Sequence, residues 1–361
     1  MIEPRECVRD LPAYRPGRPS GLADEALLNL AANENAWGPS PAVQAAWREM
    51  GDLARYPDMA GDYLKTRLQA VWRVRADQIL LGTGSGHLIK CLAETYLRPG
   101  DTMVDVFPTF SLYAQGARLM GAGRAPLPGD GHAVDFAALP DWIRAHRPRL
   151  VFLGSPNNPT GDLVGEDVMR AILEAAGGDA LVVVDEAYVD FAEAAPDLMR
   201  WVADRSNLAL LRTFSKAYGL AGLRVGALVA HPTVVEAVGR VREPFPVSGP
   251  ALVMGAAALE DDAYQRRVTT AVQAGRRRLT TALGQRGWRV NASQANFVWA
   301  VPPGPRDAAA ISAALRARGI LIRQGESFGA ADHLRITIGT PSEEDRLLGA
   351  LDELGGDGGE P

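Results

Sequence analysis

The sequence predicts an α/β fold: a large domain on a mostly parallel sheet with helices on both faces, followed by a smaller α+β C-terminal domain. Short apolar runs recur at residues 79–81, 103–106, 150–153, 181–184 and on both sides of residues 212–224. Strands apolar at successive positions are covered on both faces, as in parallel sheets. Helical periodicity separates the runs, as in the face formed by Leu88, Ile89, Leu92, Ala93, Tyr96 and Leu97. Beyond Ser248 the pattern changes to a long helical region at 250–283, short strands at 296–300, 320–323 and 334–338, and a final helix.

Composition narrows the class. With 361 residues the chain is long enough for two domains, and 47% hydrophobic with 22% charged residues is ordinary for a globular protein. A net charge of −5 and the absence of a long basic block argue against a nucleic-acid or anionic-membrane partner. Cys7 and Cys91 form neither a metal spacing nor a disulfide framework, so no metal is expected. No apolar stretch is long enough to span a bilayer and residues 1–5 lack a signal-peptide core, which implies a cytoplasmic protein.

Taken in order, residues 1–32 form a proline-rich arm with Pro4, Pro12, Pro16 and Pro19. The large domain is expected over 33–248, the small one over 249–354, and a disordered glycine-rich tail over 355–361. Ser40 and Pro41 read as the N-cap and first residue of a helix. A turn at 55–58 precedes a helix with Leu64, Leu68 and Val71 on its buried face. The strand at 79–81 enters Gly82-Thr83-Gly84-Ser85-Gly86-His87, and a helix starting in glycines offers free N–H groups to a phosphate. One reading of this loop is a dinucleotide-binding reductase, with Asp101 or Asp105 as the ribose acid, although His87 stands where a third glycine is expected. Two later strands end in polar stretches, 154–161 and 185–188, and polar groups at the C-terminal ends of parallel strands build one crevice.

The centre of the chain is the polar crossing at 212–226. Lys65, Lys90 and Lys216 are the only lysines beside 35 arginines, that is 38 − 3. Arginine does not give up its proton, whereas a lysine of lowered pKa is a nucleophile that can form a Schiff base. Thr213, Ser215 and Arg224 surround Lys216 in sequence with phosphate-binding groups. An imine-forming amine beside a phosphate clamp is what pyridoxal 5′-phosphate requires.

These stretches together resemble fold-type I pyridoxal-phosphate aminotransferases, and most closely the histidinol-phosphate aminotransferase family. The anchors are residues 155–161 (Ser-Pro-Asn-Asn-Pro-Thr-Gly), 185–188 (Asp-Glu-Ala-Tyr), 213–224 and 334–340, and the resemblance spans nearly the whole chain. It implies an aspartate-aminotransferase-like fold in which Lys216 binds the cofactor and shuttles the α-proton. Asp185 is expected against the pyridine nitrogen, Asn158 and Tyr188 at the phenolic oxygen, and Phe110 stacked on the ring. Gly84, Ser85, Gly86, Thr213, Ser215 and Arg224 are expected around the phosphate. Tyr56 is expected to reach the partner subunit's cofactor, making a homodimer with shared active sites. For the amino-acid and 2-oxo-acid substrates, Arg335 is expected at the α-carboxylate, with Tyr14, Asn35 and Arg323 around the rest. An alternative for Arg323 is a strand-end pair with Glu326.

The chain departs from the family at Gly86-His87, Ala36-Trp37 and Pro246, positions that bear on the substrate rather than on the chemistry. The leading expectation is therefore transamination of histidinol phosphate with 2-oxoglutarate. Within the same fold the alternatives are an aminotransferase for another amino acid, such as an aromatic one, a phosphothreonine decarboxylase or an amino-acid oxidase.

Overall fold

A computed structural model describes residues 2–9, 11, 27–51, 53–304 and 307–356. The chain opens with a short helix α1 (Glu6–Arg9) and a strand β1 (Leu28–Leu30), followed by α2 (Pro41–Arg48) and α3 (Asp62–Trp72). Ser40 caps α2 as expected, its hydroxyl accepting from the Val43 N–H at 3.3 Å. In α3 Leu64 and Leu68 are buried but Val71 is exposed, so the predicted apolar face is one turn shorter.

The central layer then builds as β2 (Ile79–Gly82), α4 (Ser85–Tyr96), β3 (Thr102–Val106), α5 (Ser111–Leu119), β4 (Gly123–Leu127), α6 (Leu139–His146), β5 (Leu150–Gly154), α7 (Glu166–Ala176), β6 (Leu181–Asp185), β7 (Leu208–Thr213) and β8 (Gly226–Ala230). These strands form a seven-stranded sheet in the order β2-β8-β7-β6-β5-β3-β4. Pairings from β4 across to β7 are parallel, and β8 runs antiparallel to both β7 and β2. Two reversals leave β2 pointing the same way as β7, which brings the glycine loop after β2 to the edge where β5, β6 and β7 end. Register makes this explicit, since Gly82 and Thr213 both pair with Gly226, and Asp185 pairs with Gly154. Along β6, Val182 and Val184 enter one hydrophobic core and Leu181 and Val183 the other, so both faces of the sheet are covered.

The remainder comprises α8 (Pro232–Val241), α9 (Gly249–Leu259), α10 (Asp262–Gln285), β9 (Arg289–Val290), β10 (Phe297–Val301), α11 (Ala308–Ala317), β11 (Ile320–Gln324), β12 (Leu334–Thr337) and α12 (Pro341–Gly356). A second sheet runs in the order β1-β11-β12-β10-β9. Its pairings are antiparallel except that β1 joins β11 in parallel.

Several expectations change. The helical region 250–283 is two helices, because Asp261 starts a new one by accepting from the Tyr264 N–H at 3.1 Å. Helix α9 is apolar nearly all round, and Ala251, Leu252, Met254 and Ala256 lie in the same core as Leu64 and Val184 of the central layer. We therefore propose that the large unit extends to about residue 260 rather than 248. The expected arm contributes β1 to the second sheet, and β4 was not foreseen because Gly123-Arg124-Ala125-Pro126-Leu127 lacks a continuous apolar run. The tail beyond Gly356 lies outside the described residues, while Gly355 and Gly356 belong to α12. Among the described residues, no helix is long and apolar enough to cross a membrane.

Candidate active site

The ends of β2, β5, β6 and β7 open into a cavity of about 510 Å³ that is closed from the other side by β1, β11 and β12. Its volume lies in the range of small-molecule and cofactor pockets. Lys216, Asp185, Tyr188, Asn158, Phe110, Ser85, Gly86, Thr213, Ser215, Arg224, Arg323 and Arg335 all line it. Gly84 stands beside it, at the N-cap of α4. A second recess of about 630 Å³ lies at the opposite ends of the strands, lined by Tyr96, Arg98, Arg147 and Arg149, and contains none of these groups.

Lys216 Nζ donates to the Ala32 carbonyl at 2.9 Å. Burial, with Arg335 and then Arg224 as nearby positive charges, lowers its pKa to about 7, while Glu34 and Asp185 oppose the shift. Near neutral pH a large fraction of this amine is unprotonated and nucleophilic. Asp185, 5% exposed, accepts from the Tyr113 hydroxyl at 3.0 Å and from the Ala187 N–H at 3.1 Å. Burial pushes its carboxyl up to about 6 against those two hydrogen bonds, so its charged form gains from a cationic partner such as a protonated ring nitrogen.

One end of the cavity is a cradle of short polar groups. Ser215 Oγ accepts from Arg224 Nη1 at 3.1 Å and from Thr213 Oγ1 at 3.1 Å. Helix α4 begins at Ser85 without a side-chain cap, leaving the first N–H groups and the positive end of its dipole directed at this point. Gly84 has φ of +77°, and a Cβ there would lie 2.7 Å from Arg224 Nη2. Arg224 itself adopts φ of +53°, a conformation that costs free energy in a non-glycine residue and that brings its guanidinium back over the loop. An amine of lowered pKa, a buried carboxylate and an anion cradle in one cavity fit pyridoxal 5′-phosphate.

Arg335 crosses between the sheets, with Nη1 donating to Asn158 Oδ1 at 2.5 Å and Nη2 to the Ala31 carbonyl at 2.7 Å. Arg323 is its cross-strand neighbour, and the Phe328 ring lies 5.8 Å from the Arg323 guanidinium carbon and 5.5 Å from that of Arg335. The Arg323 Nε donates to Ser327 Oγ at 3.1 Å.

Three expected residues are not brought into the cavity. Asn35 spends its amide on the Ala217 carbonyl and the Trp37 N–H, both at 2.9 Å, and so shapes the loop beside Lys216 instead of lining the pocket. Tyr56 is 83% exposed and stacks on Phe245 at 4.6 Å, away from its own chain's cavity. Tyr14 lies outside the described residues.

The departures have local explanations. His87 Nδ1 accepts the Thr83 N–H at 3.2 Å and its Nε2 meets Cys91 Sγ at 3.4 Å, so the ring caps the glycine loop outside the cavity. Trp37 packs against the core of the second sheet, and its carbonyl accepts from the Tyr264 hydroxyl at 2.6 Å. The Pro246 carbonyl accepts from Thr83 Oγ1. The ribose acid of the dinucleotide reading is also spent, because Asp105 is fully buried against Arg124 Nε at 2.9 Å and Asp101 accepts from the Arg98 N–H.

Other site residues were missed. Asn33 Nδ2 donates to the Tyr188 hydroxyl at 3.0 Å, while its Oδ1 accepts from Thr337 Oγ1 at 3.1 Å. No local pattern separates Asn33 from Asn35. Tyr113, the partner of Asp185, sits three residues after Phe110, and that helical spacing could have found it. Asn157 ties the two loops that carry Phe110 and Asn158, accepting from Thr109 Oγ1 at 2.8 Å and donating to the Pro108 carbonyl at 2.9 Å.

Substituting Gly84→Ala tests the cradle. The added methyl must displace Arg224 and strains a backbone held at φ of +77°, so the expected outcome is a folded protein of lowered melting temperature that binds pyridoxal phosphate about tenfold or more weakly by fluorescence titration. Unchanged affinity would show that the cradle does not hold the phosphate.

Comparison with known proteins agrees with this chemistry. The sequence pattern of the family described as aminotransferase class I and II matches residues 25–351. The histidinol-phosphate aminotransferase of Symbiobacterium thermophilum is 40% identical over 99% of this chain and 100% of the relative. That of Moorella thermoacetica is 38% identical over 97% of this chain and 92% of the relative. Among solved structures, histidinol-phosphate aminotransferase from Sinorhizobium meliloti in complex with pyridoxal 5′-phosphate superposes with a TM-score of 0.88 at 27% identity, covering 98% of both chains. The chain belongs to the class I and II aminotransferases, enzymes that work through pyridoxal 5′-phosphate.

Proposed function

We propose that the enzyme transfers the amino group of histidinol phosphate to 2-oxoglutarate, a step of histidine biosynthesis, as a cytoplasmic homodimer. The observation that carries this reading is the cross-strand pair Arg323 and Arg335, two guanidiniums on one wall of the cavity about one aromatic ring. Glutamate presents a carboxylate on the carbon bearing nitrogen. Histidinol phosphate presents there a phosphate ester, longer by a methylene and an oxygen and more highly charged. One arginine serves the first, and two adjacent arginines serve both. The similarity to relatives named histidinol-phosphate aminotransferase supports the same substrate.

When bound, the cofactor supplies the electron sink and the carrier for nitrogen. Lys216 would hold it through Nζ and, when free of it, would be the base that takes the proton from the substrate's α-carbon. A pKa near 7 suits that task at neutral pH. Asp185 would set a buried negative charge against the ring nitrogen and keep it protonated. Tyr188 and Asn158 would orient the phenolic oxygen, Phe110 would cover the ring, and Arg335 would pair with the substrate's anion.

The dimer rests on Tyr56 and Phe245, a stacked, exposed aromatic pair of the kind that seeks a partner surface. Mixing Lys216→Ala with Tyr56→Ala protomers is expected to restore activity toward half, since one site per heterodimer stays intact. An active monomer in sedimentation would contradict shared sites. The substrate is tested at Arg323. The Arg323→Gln variant is expected to raise KM for histidinol phosphate about ten- to a hundredfold, the loss of a charge-assisted pair, with little effect on a donor whose only anion is its α-carboxylate, such as phenylalanine. A fast half-reaction of the wild type with an aromatic amino acid, and none with histidinol phosphate, would overturn the substrate and leave the cofactor chemistry standing.

A further inference from the structure

The turn between β11 and β12, residues 325–333, carries Ser327 and Phe328 into the cavity and follows directly on Arg323. It rests on the loop after β4. His132 Nδ1 lies 3.2 Å from His333 Nε2, and Trp299 Nε1 donates to the Gly131 carbonyl at 2.9 Å. Trp299 stacks on His333 at 4.7 Å and meets Phe328 edge-on at 5.9 Å. The His333 carbonyl in turn accepts from the Gly325 N–H at 2.8 Å, which closes the turn on itself. A chain of contacts therefore runs from the central layer through the two imidazoles to the substrate-facing ring.

We propose that His132 and His333 are positioning residues whose mutual hydrogen bond docks the 325–333 turn, and with it Phe328 and Arg323, on the central layer. The consequence for substrate rests on the reading of Arg323 given above. The consequence for the turn does not.

Proton placement follows from the partners. Asp332 Oδ1 lies 2.6 Å from His333 Nδ1, and a carboxylate accepts, so His333 Nδ1 carries hydrogen and its Nε2 is the acceptor for His132 Nδ1–H. One added proton, on the far nitrogen of His132, leaves that bond in place. A second, on His333 Nε2, sets two donors and two positive charges face to face and breaks it. The charged groups facing the pair are Asp130 on the loop, Asp162 after β5, Arg289 on β9 and Asp332 on the turn. Burial, with Arg289, holds both imidazoles below the ordinary range despite the carboxylates. Because the folded values lie below the unfolded ones, the contact contributes fully at neutral pH and above and is lost as pH falls below the ordinary imidazole range.

The experiment compares cofactor-loaded wild type with His132→Ala and His132→Asn, whose side-chain amide donates to His333 Nε2 and, turned over, accepts from it once that nitrogen is protonated. At pH 8, hydrogen–deuterium exchange of residues 325–333 is expected to quicken in His132→Ala alone. On acidification it is expected to quicken in the wild type and to stay slow, after correction for intrinsic rates, in His132→Asn. The KM for histidinol phosphate at pH 8 is expected to rise roughly two- to tenfold in His132→Ala, with kcat nearly unchanged and wild-type behaviour in His132→Asn. Unchanged exchange in His132→Ala, or an acid-induced loosening retained in His132→Asn, overturns the inference. Faster exchange with unchanged KM sustains the docking and counts against the reading of Arg323.

Discussion

Lys216 Nζ donates to the carbonyl of Ala32, and that bond spans the central layer and the segment leaving the second sheet. Burial and the charges of Arg335 and Arg224 shift this amine toward the neutral form. The rest of the site is arranged around this constraint. Asp185 lies in the same cavity, but its negative charge is held by Tyr113 and the Ala187 N–H and does not form a hydrogen-bonded pair with the lysine. Were the carboxylate to grip the amine, the lysine would stay protonated and could not act as a nucleophile.

The two sheets divide the work. The central sheet brings together by register the groups proposed for the cofactor, with Gly82, Gly226 and Thr213 level at one strand edge and Asp185 level with Gly154. The second sheet contributes Arg323 and Arg335, the residues proposed for the substrate, as cross-strand neighbours. Residues 31–33 stitch them, since Ala31, Ala32 and Asn33 bond respectively to Arg335, Lys216 and Tyr188. The same segment thus fixes Arg335, Lys216 and Tyr188 in mutual geometry. Asn33 adopts φ of +54° to do so, a cost that its four hydrogen bonds offset.

Lys216, Asp185 and Asn158 were legible in the sequence because each lies in a compact motif at a strand end, where local order alone announces chemistry. The parallel sheet was legible for a similar reason, as doubly buried strands leave continuous apolar runs. Asn33 was not, because its partners Tyr188 and Thr337 are 155 and 304 residues away. Asn35 looked equally suitable, and only the turn of the backbone decides which amide faces the cavity. The helix boundary at Asp261 was blurred by continuous helical propensity on both sides. The placement of α9 in the large core was readable from its all-round apolarity, which marks a helix buried within a layer. His87 and Trp37 stand at positions expected to bear on the substrate, yet both side chains turn away from the cavity, a matter of side-chain direction that spacing does not reveal.

The central claim is that Lys216 is the attachment point for the cofactor. Reduction of the cofactor-loaded protein with borohydride, followed by proteolysis and mass spectrometry, tests it most directly because Lys65, Lys90 and Lys216 are the only lysines. The account predicts a pyridoxyl group on the peptide containing Lys216 and on no other. Its appearance on Lys65 or Lys90 with Lys216 unmodified, or its absence from all three, would contradict the account.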